Sequence, residues 1–143
     1  MHNEAVVVLE RSARLPPWVD AELGADPSIY VCAEGPGDDP GGFAERVSRC
    51  IDAGQFPRQV RFCVLVVNDA CGRERTLARG ALLISLWELG RVVVQSDRTT
   101  PALEQLTAMY DAELRLSQTG VASDPAQEVA RETEVPASER RVA

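Results

Sequence analysis

Acidic and arginine side chains cluster at a few places in this chain, and each place follows an apolar run. Glu34, Asp38 and Asp39 lie in EGPGDDPGG, directly after SIYVCA. Asn68 and Asp69 follow FCVLVV, Asp97 and Arg98 follow VVVQS, and Glu10 and Arg11 follow AVVVL. Carboxylate oxygens are the ligands hard cations take, and two or three of them converging at about 2.1 Å would hold Mg²⁺. Arg73 or Arg98 next to such a site would hold an anionic substrate. The candidate ligand-binding residues are therefore Glu34, Asp38, Asp39, Asn68, Asp69, Arg73, Asp97 and Arg98; no cofactor is evident, and Mg²⁺ is the one these carboxylates suggest. The competing reading is structural: acids at strand–helix junctions cap helices and keep a rim solvated.

Other chemistries lack their parts. The chain has one histidine, His2, so Cys-His and Ser-His-Asp catalysis and histidine-based zinc sites have little to stand on. It has no lysine, which removes Schiff-base chemistry and a P-loop phosphate ligand. The segment GPGDDPGG is glycine-rich but is neither G-x-G-x-x-G nor G-K-[ST], and its paired aspartates would repel phosphate. Cys71-Gly72 precedes a helical pattern, and Arg73 and Arg75 would favour a thiolate there. With no histidine to serve as its base, Cys71 is expected to be a plain thiol, redox sensing being the weaker alternative.

The elements that must position these residues centre on Gln59–Ser96. Phe62–Val67 is apolar on both faces, as a strand covered on two sides is. Val92–Val94 repeats that signal. Between them Leu77, Ala78, Ala81, Leu82, Ser85, Leu86 and Leu89 recur at helical spacing, which makes them the expected buried stripe, and Gly90 is expected to end the helix in a left-handed conformation. This is a strand, a crossover helix and a parallel strand, right-handed by rule. Ala5–Leu9 and Ser28–Ala33 add two strands. Pro16-Pro17 allows only a short turn between them, so the two are expected either parallel or as antiparallel neighbours. Phe43, Val47, Cys50 and Ile51 mark a second helix. Thr100 as N-cap and Pro101 at the first helical position start a third, with Leu103, Leu106, Tyr110 and Leu114 as its buried side.

The expectation is an α/β domain: a small open, mostly parallel four-stranded sheet, flavodoxin-like or Rossmann-like in order 2-1-3-4, flanked by three helices. Residues 1–118 form that domain. Residues 119–143 hold few large apolar side chains and are expected to be a disordered tail. A response-regulator receiver would need an acidic pair after the first strand, an aspartate after the third and a lysine after a fifth. Asp69 fits one slot and the lysine is absent. A universal-stress-type protein would carry a late glycine-rich nucleotide motif, which SDRTTPALE lacks. No family is recognised.

A net charge of −7 argues against nucleic acid and anionic membrane surfaces as partners. No stretch is long enough to span a bilayer, and residues 1–30 lack a secretory pattern, so a cytoplasmic protein with free thiols is expected. The all-arginine basic set fits coding bias in a high-GC bacterial genome. With no complete catalytic set, the expected function is a non-catalytic protein-interaction or regulatory module, self-associating, with Trp18 and Trp87 as candidate contact residues. The alternative is a small-ligand-binding or Mg²⁺-dependent enzyme using the carboxylate rim.

Overall fold

The computed structural model describes residues 3–117. The tail expected over residues 119–143 lies outside them. Five strands and four helices alternate: β1 (Glu4–Leu9), α1 (Pro17–Leu23), β2 (Ser28–Ala33), α2 (Pro40–Asp52), β3 (Phe62–Val66), α3 (Arg73–Trp87), β4 (Arg91–Ser96), α4 (Pro101–Met109) and β5 (Glu113–Leu116). The sheet is parallel throughout, in the order β2-β1-β3-β4-β5, which is the flavodoxin-like order.

Alternation along the strands divides the core into two layers. Val6, Val8, Cys63, Leu65, Val92 and Val94 face a layer built from α2, α3 and α4, where Phe43, Val47, Leu82, Leu83, Leu86, Leu103 and Leu106 meet them. Ala5, Val7, Leu9, Phe62, Val64 and Val66 face the other way, onto Val19 and Leu23 of α1. Each aliphatic side chain buried in this way contributes about 1.5–3 kcal/mol. The two-sided apolar runs of β1 and β3 follow from their central places in the sheet.

Several expectations need correction. The sheet has a fifth strand and the fold a fourth helix. Of the two arrangements open for the first two strands the parallel one holds, with α1 as their crossover although it is only seven residues long. The third expected helix stops early: Asp111 takes φ 55°, and the chain re-enters the sheet as β5. Leu114 keeps its predicted place against the core, but from a strand. In α3, Leu77 and Ala81 are exposed, and the buried side carries Arg75 and Arg79 together with Ala78, Leu82, Leu83 and Leu86. The cap of α4 is as expected, with Thr100 Oγ1 accepting the Leu103 amide at 3.2 Å.

Gly90 is a glycine for a reason other than the one expected. It is not among the residues with positive φ. A Cβ there would stand 2.7 Å from the Val60 carbonyl oxygen. The Val60 amide donates to Leu89 O at 3.0 Å, so that backbone is pinned against the turn. Gly90→Ala is expected to destabilise the domain by about 1–3 kcal/mol, the range for forced overpacking; a urea midpoint unchanged from wild type would contradict this.

Candidate functional site: the carboxyl rim and the outer face of α3

In an open parallel sheet the default ligand crevice lies past the carboxyl ends of the strands, where neighbouring connections leave to opposite faces. Here that point falls between β1, which leads to α1 on one face, and β3, which leads to α3 on the other. Glu10 directly follows β1 and is 1% exposed; Glu34 directly follows β2 and is 6% exposed. Bare carboxylates so deeply placed would be costly, and each receives an arginine from α3.

Arg75 and Arg79 are one helical turn apart, so both project from one side of α3. Arg79 holds Glu10 in a fork: Nε donates to Oε2 at 2.7 Å and Nη2 to Oε1 at 2.8 Å. Its Nη2 also donates to the carbonyls of Asn68 and Ala70, at 3.1 and 3.0 Å. Arg75 holds Glu34 in a second fork, at 2.8 and 3.2 Å, and its Nη1 lies 3.7 Å from Glu10 Oε2. A backbone amide adds a third hydrogen bond to each carboxylate, Asn68 N–H donating to Glu10 at 2.9 Å and Arg11 N–H to Glu34 at 3.0 Å. The Asn68 side-chain amide donates to Arg11 O at 3.1 Å. The crevice between β1 and β3 is thus stitched closed. Arg75 Nε is the one buried side-chain polar atom among the described residues that finds no partner.

Burial pushes the Glu34 carboxyl up. The Arg75 fork, the Arg11 amide and both arginine charges outweigh it, and its pKa lies below the ordinary carboxylate value. Burial likewise pulls Arg75 down, and its hydrogen bonds to Glu34 and the nearby acids more than restore it, so its pKa is raised. A carboxyl whose pKa falls on folding stabilises the native state above its unfolded pKa. That contribution disappears as pH drops through the lowered folded value. Stability is therefore expected to be flat near neutrality and to fall through the acid range, and Glu34→Gln should flatten that fall. Urea midpoints measured from pH 7 to pH 3 check it; equal slopes for wild type and variant would refute the assignment.

The other rim residues do not converge. Asp38 accepts the Gly35 amide at 2.7 Å and pairs with Arg46 at 2.7 Å; that amide, and then Arg46 and Arg11 against partial burial, hold its pKa low. Arg11 also donates to Asp38 O. Asp39 stands at the N-cap position of α2 without a side-chain cap bond. Asp69 is exposed and caps nothing, since the N-cap of α3 is Gly72. It faces Arg98 across the β3 and β4 ends at 3.7 Å. Asn68 Oδ1 accepts the Ala70 amide, forming a local turn. Arg73 and Asp97 are exposed. Among the described residues no group of three His, Cys, Asp or Glu side chains is placed to hold a metal ion. Cys71 is exposed, and Arg75, one of its two expected cationic neighbours, is engaged with Glu34. Burial pushes the Cys63 thiol up to about 12, and Cys32 is raised mainly by burial too.

The two tryptophans have different roles. Trp18 is half-buried: its ring lies 5.7 Å from that of Phe62, its Nε1–H donates to Gln95 Oε1 at 2.8 Å, and the Arg115 guanidinium covers it at 4.1 Å. It is taken up by the fold, where it closes the α1 face over β4 and β5. Trp87 stands at the end of α3 and is exposed, beside a groove of about 620 Å³ at the opposite rim, lined by Asn3, Gln59, Arg61 and Gly90 among others. Along the outer side of α3, Leu77, Ala81 and Ile84 form an uncovered apolar ridge.

Arg75 and Arg79 were absent from the sequence-derived candidate set, and Glu10 stood outside it as a strand end. The available signal was a glutamate one position past each of two apolar runs, together with two arginines four residues apart in one helix. No protein-family model, curated protein or solved structure matches this chain.

Proposed function

We propose that the chain is a non-catalytic protein-interaction or regulatory module that self-associates, with the outer face of α3 as its contact surface. The observation that carries this reading is the uncovered ridge. Leu77 is 65% exposed, Ile84 53% and the neighbouring Trp87 62%, and Met109 on α4 is 65% exposed. Large apolar side chains exposed singly are ordinary; three along one helix, with a fourth on the neighbouring helix, support a contact surface there. Tryptophan is also the residue type most often dominant in such contacts.

The carboxyl rim supports the same conclusion from the other side. Its two buried carboxylates are neutralised by arginines and its crevice is bridged by Asn68, so a ligand-binding or Mg²⁺-dependent role gains nothing from it. The described helices include none long and apolar enough to cross a membrane. The four cysteines are free, which is consistent with a cytoplasmic location as part of this proposal.

Sedimentation velocity of the full chain across a wide concentration range tests the reading. A sedimentation coefficient that rises with concentration is expected. A strict monomer at several hundred micromolar would overturn it.

A further inference from the structure

We infer that the partner on α3 is a second copy of this chain, docked with its own α3 antiparallel across a two-fold axis at the Gly80–Ala81 peptide. The inference rests on the self-association reading and adds its geometry. Arg73, Leu77, Ala81 and Ile84 of α3 and its C-cap Glu88 are exposed and fall on one line of the helix, with exposed Glu74 and Trp87 to either side of it. That line is self-complementary when reversed. Leu77 and Ile84 stand at equal distances on either side of the Gly80–Ala81 peptide. Arg73 and Glu88 stand at equal, larger distances, about 22 Å apart along the axis at 1.5 Å per residue.

Antiparallel pairing about that point sets Leu77 against the partner copy's Ile84 and Arg73 against its Glu88, each contact occurring twice by symmetry. Parallel pairing would instead put arginine against arginine and glutamate against glutamate. The small side chain of Ala81 at the centre lets the two helix axes approach closely. Arg73 and Glu88 make no ion pair with other described residues, and both are exposed. The charges at the two ends of the ridge are therefore open to a partner of this pattern. An unrelated partner would not need the pattern to be symmetric.

Size sets the strength. A single helix ridge, even widened by Trp87, covers less than the roughly 800 Å² per partner of a durable complex, so the dimer forms and dissociates readily. The net charge of −7 on each copy opposes it further, and the end pairs determine orientation more than affinity.

A charge exchange tests the register. Arg73→Glu and Glu88→Arg are surface changes that leave the apolar ridge intact, and both agree with the helix dipole, so the fold is retained. Far-UV circular dichroism and a thermal melt verify that. An exposed ion pair shifts an equilibrium by a few-fold, and each variant turns two attractions into two repulsions, so each alone should weaken the dimer roughly tenfold. The double variant, Arg73→Glu with Glu88→Arg, should return the dissociation constant to within about twofold of wild type. If the chain self-associates but the single variants have no effect, or the double variant fails to recover, the antiparallel register is wrong while self-association stands. If the wild-type chain never self-associates, both fall together.

Discussion

Glu10→Gln is expected to lower the unfolding free energy by about 3–5 kcal/mol, the loss that follows when one member of a buried ion pair is removed. The change is nearly isosteric, so cavity effects are small and the electrostatic term dominates. Arg79 would keep its hydrogen bonds to the Asn68 and Ala70 carbonyls but would hold its charge at 7% exposure with no carboxylate in the fork. Urea unfolding followed by circular dichroism measures the loss. Combining it with Arg79→Met should recover part of the deficit, because the stranded charge leaves too. A single-variant loss below about 1 kcal/mol would mean that the carbonyls alone satisfy Arg79 and that the cluster is not the fastening described above.

Ile84→Glu is expected to weaken self-association at least tenfold while leaving the monomer's stability within about 0.5 kcal/mol, because the side chain is half exposed and glutamate is a good helix former. In the antiparallel arrangement each copy would bury this charge against the partner copy's Leu77, and the penalty would be incurred twice. Sedimentation measures the association and a thermal melt the stability. An unchanged dissociation constant would remove α3 as the contact surface while leaving self-association itself in place.

Much of the fold was legible. The four longer strands announce themselves as apolar runs, and the second and fourth are flanked by turn or capping residues that delimit them. β5 was not legible, because Leu114 falls at helical spacing from Leu103, Leu106 and Tyr110, and only the positive φ of Asp111 diverts the chain. The face of α3 was misread for a related reason. Its apolar residues run nearly all the way round, so periodicity alone could not orient it. The expected stripe holds at Ala78, Leu82, Leu86 and Leu89 and fails at Leu77 and Ala81, which are exposed. Arg75 and Arg79 turn inward because Glu34 and Glu10 receive them, from positions 41 and 69 residues away in sequence. No local pattern encodes a partner that far off. The rim aspartates were legible as residues but not as a site: Asp38 is held by Arg46 and Asp69 faces Arg98, distances that depend on the assembled loops.

The long sequence separation of the Glu10–Arg79 pair also bears on the order in which the chain assembles. Neither charge gains by leaving water until β1, β3 and α3 are already side by side, so the pair is expected to act as a latch that closes late. Interactions made after the rate-limiting barrier slow the return journey rather than speed the outward one. The latch is therefore expected to lengthen the lifetime of the native molecule more than it hastens its formation.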